Sequence, residues 1–202
     1  MTRALFLLLM LAAGTRPVLA QDAPGIGPDA KVGGTLGLQT GVLRVGSGLL
    51  PVLGFGGSLR LSPQVELGAE VVLSLGSVAL APEPPQGSGS LKLAHSGASL
   101  RWRPAGDAPG ARWGGSILFG AGTARVRSPL VVTEVAHSNF LLLEPRVHIL
   151  IRQDRRFRGS VDAGYRLSLG ASTLPGIPPA ELRGPMVSLS LQFVRRPWPA
   201  PP

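Results

Sequence analysis

The side chains with the widest chemical reach in this 202-residue chain are three histidines, eleven carboxylates and an excess of arginine. His95, His137 and His148 stand apart, and none has the spacing of a metal-ligand pair, so neither a metal nor another cofactor is predicted. His137-Ser138-Asn139 followed by Glu144 supplies a base, a nucleophile and a carboxylate, the ingredients of acyl transfer. Glu66 and Glu70 form the other candidate pair, but arginines flank them and structural pairing is the better reading. Gly54-Phe55-Gly56-Gly57 and Gly120-Ala121-Gly122 lack the third glycine, the lysine or the following helix of a phosphate loop; they read as small interior or strand-bending positions. No catalytic set stands out, and the expectation is a protein that is not an enzyme.

All but Lys31 and Lys92 of the 20 basic side chains are arginine, and the sequence pI is near 11.6. A nucleic-acid partner is not expected, because the arginines are scattered, apart from the run Arg152 to Arg158, and no basic motif is interleaved with aromatics. The phosphates of outer-membrane lipid and lipopolysaccharide suit surface arginines in an exported protein better.

Export is indicated by the N-terminus. Arg3 precedes the apolar run Ala4 to Ala13, which is too short to span a bilayer as a helix, and Val18-Leu19-Ala20 offers a peptidase a small residue before Gln21. Residues 1–20 therefore read as a signal peptide and 21–30 as a short N-terminal segment. The sequence has no cysteine, so a disulfide framework or a lipidated cysteine has no residue to form on. With 28 glycines, 20 prolines and 44% hydrophobic residues, the composition suits many strands joined by turns.

Period-two alternation carries the fold signal. From Arg156 to Gly170 one face reads Phe157, Gly159, Val161, Ala163, Tyr165, Leu167 and Leu169, and the other Arg158, Ser160, Asp162, Gly164, Arg166 and Ser168. Gln64 to Gly76 and Phe140 to Arg152 repeat the split, and weaker copies cover roughly 32–44, 50–61, 90–103, 111–126 and 184–195. About eight strands follow, several long enough to cross a membrane, where about 9–11 tilted residues are needed. Connections of unequal length, tight at Leu61-Ser62-Pro63 and Gln153-Asp154-Arg155 and long at Val78 to Gly89, Arg127 to Ser138 and Ala171 to Gly184, suit the two ends of a barrel. The short join at Val45 to Leu49 and the long one at Pro104 to Gly110 fit that alternation less well.

A charge facing lipid at the midplane costs about 2–4 kcal/mol, so the charged faces are predicted to point inward. Arg60, Glu66, Glu70, Glu144, Arg146, Arg158, Asp162 and Arg166 would then meet in the narrow interior as a polar network, with His148 near Glu144 or Arg146. Trp102, Trp113, Phe157, Phe193 and Trp198 fall near the periplasmic end and suit an interfacial belt. Pro145 interrupts an otherwise strong strand, and a bulge beside Glu144 is the predicted accommodation.

With these features the chain resembles the small eight-stranded outer-membrane barrels of the OmpA and OmpX type, grouped as porin-family proteins. Its final strand, Val187 to Phe193, looks like that family's C-terminal assembly signal, which implies recognition by the outer-membrane assembly machinery. The tail Arg195 to Pro202, the low aromatic content and the absence of a following peptidoglycan-binding domain depart from the pattern. The His137, Ser138 and Glu144 set is similar in kind to that of outer-membrane lipid A deacylases. That family, however, separates its His and Ser by one residue and places its Glu further on.

The fold expected is all-β: an eight-stranded antiparallel up-and-down transmembrane β-barrel over 31–195, ending in a Pro-rich tail at 196–202. It is expected to be a monomer in the cell outer membrane with a structural or surface-interaction role. A narrow channel or carrier of small hydrophobic molecules comes next, then a lipid-modifying enzyme, then a soluble lipocalin-type barrel.

Overall fold

The computed structural model describes residues 33–62, 64–79, 89–103, 113–127, 134–153, 156–174 and 177–195. The signal peptide, the N-terminal segment, the tail after Arg195, Trp198 and the Asp154-Arg155 turn lie outside the described residues.

Strand β1 (Gly34–Val45) turns through Gly46 and Ser47 into β2 (Gly48–Arg60). Gly46 takes a positive φ of 55°, a conformation glycine adopts without steric cost. β3 (Val65–Ser74) follows a turn in which the Ser62 hydroxyl accepts hydrogen bonds from the backbone N–H groups of Gln64 and Val65. β4 (Val78–Ala79) is a two-residue stub that extends the β3 wall against β5 (Ser90–Trp102). β6 (Trp113–Arg127), β7 (Glu134–Gln153), β8 (Phe157–Leu169) and β9 (Gly184–Arg195) complete the set.

Sequential long strands pair antiparallel, β3 pairs β5, and β9 returns to β1. Eight long strands thus close into a barrel without a free edge. Each has at least ten residues, enough to cross a hydrocarbon core when tilted. Gly34 pairs with Arg195, so both ends of the described chain lie at one rim, the terminal end. The opposite rim is the loop end. At the pair Gly97 and Gly120 between β5 and β6, a Cβ on either residue would overlap the facing backbone.

Pro145 needs no bulge beside Glu144. Its ladder to β6 runs unbroken through the pair Ile117 and Pro145, and the ladder to β8 skips Glu144 and Pro145 and resumes in the same register. The missing N–H therefore faces β8 and leaves a two-residue gap in that ladder, which the strand tolerates without a shift of register. The bulge of β7 lies instead between Leu150 and Arg152. β7 also begins earlier than the sequence suggests, so His137 and Ser138 belong to a strand and not to a loop.

The two surfaces of the wall are inverted relative to a soluble barrel. Leu36 (71% exposed), Phe119 (59%) and Ile151 (59%) represent an outer face of apolar side chains, while Glu144, Asp162 and Arg166 inside are fully buried. A soluble monomer rarely exposes a contiguous apolar patch beyond a few hundred Å². This inversion removes the lipocalin-type reading and gives the barrel a lipid-facing wall. Among the described residues no helix is long and apolar enough to cross a membrane; the strands make the crossing.

Candidate functional site

The lumen is layered, and strand register decides which side chains enter each layer. In the middle, β3, β7 and β8 present Glu70, Glu144, Arg146 and Arg166 to the axis. Arg146 donates from Nη1 to Glu70 Oε2 and from Nε to Glu144 Oε1, each at 2.6 Å. Arg166 donates from Nε to Glu144 Oε2 at 3.3 Å, and its Nη2 lies 3.1 Å from His95 Nδ1. Gln39 Oε1 accepts a longer bond from Arg146 Nη1 at 3.5 Å. Glu144 thus bridges two arginines in a site without solvent, where removing one partner is far costlier than at a surface.

Nearer the terminal end, a single carboxylate oxygen serves three arginines. Glu66 Oε1 accepts from Arg103 at 2.6 Å and from Arg60 and Arg158 at 3.4 Å each. Between these layers Asp162 gathers His148, Ser160 and Ser190. His148 Nδ1 lies 2.6 Å from Asp162 Oδ1, and His148 Nε2 lies 2.7 Å from Ser116 Oγ. Ser160 donates to Asp162 at 2.8 Å, and the Ser190 hydroxyl donates to its second oxygen.

All eight charged residues singled out in the sequence lie inside, in two groups: Glu70, Glu144, Arg146 and Arg166, then Arg60, Glu66 and Arg158, with Asp162 between them. His148 pairs with Asp162 and Ser116 instead of Glu144 or Arg146. Gln39, His95, Arg103 and Ser116 were missed. Gln39, His95 and Ser116 share the inward parity of their strands and Arg103 continues that of β5, which was the signal available to find them.

The loop-end half of the lumen is apolar, which corrects the picture of a polar interior throughout. Leu43, Leu50, Val52, Leu91, Leu118 and Leu142 are almost completely buried there. The connection from β8 to β9 folds back over them and buries Leu174, Ile177 and Leu182. A short 3-10 turn at Pro179–Leu182 carries Leu182 inward, and the Glu181 carbonyl accepts from Gly46 N–H at 3.1 Å. Ser172 N–H and Oγ meet Ser138 Oγ at 2.8 and 2.9 Å, fastening the same segment to β7.

Two enzyme-like arrangements can be weighed on this geometry. His137 points outward, Ser138 inward, and Glu144 lies six residues down the strand, so they cannot act together. Ser116, His148 and Asp162 have the order and distances of a nucleophile, base and carboxylate. Ser116 is only 3% exposed, however, and lines neither of two small cavities among the described residues. One of these, about 40 Å³, lies against Gln39, Gly54, Gly56, Glu70 and Arg101 and has room for a few waters; ligand pockets run to about 300–1,000 Å³. The other, beside Arg158, measures about 10 Å³. Among the described residues no three or more His, Asp or Glu side chains form a metal site.

On the outer wall the terminal end carries an aromatic belt. Trp102 and Trp113 meet edge to face at 5.5 Å, and Phe157 and Phe193 at 4.8 Å, all four exposed. An apolar exterior, an ion-paired interior and a ring of eight long antiparallel strands decide the fold. It is that of the small eight-stranded outer-membrane barrels. Proteins of this build span the outer membrane, with aromatic girdles at its interfaces.

Comparison with solved outer-membrane barrels agrees. The barrel is similar to Neisserial surface protein A at 9% identity and a TM-score of 0.50, covering 81% of this chain and 97% of that one. The N-terminal β-barrel domain of OprF from Pseudomonas aeruginosa matches at 10% identity and a TM-score of 0.46, covering 79% of this chain and 96% of that one. A major outer membrane protein from Thermus thermophilus matches at 14% identity and a TM-score of 0.48, covering 80% of this chain and 99% of that one. No protein-family model matches the chain, and no curated protein matches its sequence.

Proposed function

We propose that this outer-membrane barrel is a non-enzymatic, non-conducting protein that acts through its outer surface, held in place by lipopolysaccharide. The filling of the lumen carries the reading. Ions entering from the terminal end would meet an arginine–carboxylate network and then a dry layer of leucine and valine under the 170–183 segment. A channel, or a carrier of small hydrophobic molecules, would need a path through that layer.

The surface role draws on the loop-end rim, where several basic side chains lie on the outward face. Lys92, Arg125 and His137 are neighbours across β5, β6 and β7, with Arg127 two residues further on. Lysine and arginine side chains at such a rim suit the phosphates of lipopolysaccharide. The terminal end, with its aromatic belt, then faces the periplasm. Planar-bilayer recording tests the reading: the intact barrel is expected to show no conductance steps. A steady, reproducible conductance would favour the channel instead.

A further inference from the structure

Among the described residues, the terminal mouth of the lumen holds more guanidinium than carboxylate. Arg60 on β2, Arg101 at the end of β5, Arg103 just beyond it and Arg158 on β8 gather around Glu66, whose Cα-level neighbours are Arg60 and Arg101. Three of the four share one oxygen of that carboxylate. Arg101, Arg103 and Arg158 also line the same small cavity. The nearby carboxylate Asp162 is already engaged by His148, Ser160 and Ser190.

Arg158 makes the shortage of acceptors explicit. Its side chain is only 4% exposed, its Nη1 is shared between Glu66 and Gln192, and its Nε has no partner. The same bias runs through the lumen. Among the described residues the other buried side-chain atoms without partners are Gln39 Nε2, Arg146 Nη2, Arg166 Nη1 and Ser188 Oγ, so every one can donate and no carboxylate oxygen is among them. Buried donors require acceptors, and clustered cations require an anion.

We propose that this mouth is a phosphate-binding site, taking the group either as a free solute or on a phospholipid headgroup at the bilayer surface. Phosphate offers several oxygens to guanidinium forks arriving from different strands. Arg60 and Arg103, with side chains 38% and 18% exposed, can turn from Glu66 toward a ligand at the rim, while the buried Arg158 supplies the fixed donor. The cavity behind Arg158, about 10 Å³, is too small for the ligand itself, so phosphate sits at the mouth and not in the lumen. The site is independent of the surface role proposed above.

The test is calorimetric titration of inorganic phosphate into the full chain in dodecyl maltoside micelles at low salt. Saturable one-to-one binding is expected, weakened at least tenfold by Arg158→Gln and by Arg103→Gln and unchanged by Lys92→Gln at the far rim. Heat-modifiable migration on gels checks that each variant folds. Arg103 lies outside the strands, so Arg103→Gln keeps the test decisive should Arg158→Gln fail to fold. Repeating the titration in phosphatidylglycerol nanodiscs separates the sources. Binding retained there supports a free solute, and binding seen only in micelles supports headgroup occupancy. No saturable binding in micelles, or binding that no folded variant weakens tenfold, overturns the proposal.

Discussion

Replacing Glu144 with leucine probes the centre of the lumen at one point. Glu144 is fully buried and bridges Arg146 at 2.6 Å and Arg166 at 3.3 Å. Leucine has similar bulk, so the change removes charge and hydrogen bonds more than volume. Arg146 would keep Glu70, also at 2.6 Å, whereas Arg166 would keep only His95 and become a buried cation without a carboxylate. Breaking a buried ion pair from one side costs about 3–5 kcal/mol, and Glu144→Leu is expected in that range. Adding Arg166→Met removes the stranded cation. Arg146 Nε then lacks its acceptor and buried His95 its partner, each a cost of about 1–3 kcal/mol, so the double variant should recover only part of the loss. The assay is equilibrium unfolding in guanidinium chloride from dodecyl maltoside micelles, followed by tryptophan emission. A Glu144→Leu cost below about 1 kcal/mol, or a double variant no more stable than the single one, would refute the reasoning.

Ser116 in the buried Ser–His–Asp array is expected not to react with fluorophosphonate probes, as read by mass spectrometry; stoichiometric labelling would restore an enzymatic reading. Ser116→Ala should instead destabilise the fold by about 1–3 kcal/mol in the same unfolding assay, because it strips a partner from buried His148. Leu182→Ala under the loop-end cap should cost about 2–5 kcal/mol, and a stability equal to wild type would mean that the 170–183 segment does not seal the barrel. Lys92→Gln with Arg125→Gln should lower the melting temperature in lipopolysaccharide-containing vesicles and leave it unchanged in zwitterionic phospholipid. Equal effects in both would remove lipopolysaccharide as the partner of that rim.

The strands most legible in the sequence are those whose two faces differ most. β3, β7 and β8 alternate apolar and charged residues through the membrane, and their inward carboxylates and arginines could be assigned from parity alone. The weaker segments are weak for a physical reason. Near the loop end the inward positions are themselves apolar, as with Leu43 and Val45 on β1, Leu50 and Val52 on β2, and Ala124 and Val126 on β6. Both faces are then hydrophobic and the period fades. The apolar layer stayed hidden for that reason, and the inward fold of 170–183 depends on tertiary contacts that local propensity does not encode. Pro145 does interrupt the β7–β8 ladder, but without a bulge: whether a lost ladder bond shifts the register depends on how firmly the neighbouring pairs hold it, which the local sequence does not encode. Pairings such as His148 with Asp162 likewise follow from register between β7 and β8.

The inward and outward assignment of the wall is the claim on which the rest stands, and a cysteine scan of β7 tests it directly because the chain has no cysteine of its own. Single cysteines from position 140 to 151, carrying a fluorophore in bilayers with brominated lipid, should be quenched at 141, 143, 147, 149 and 151. Those at 140, 142, 144, 146 and 148 should be protected. Quenching that alternates in the opposite phase, or does not alternate, would contradict a barrel with a polar, ion-paired lumen and a lipid-facing apolar wall.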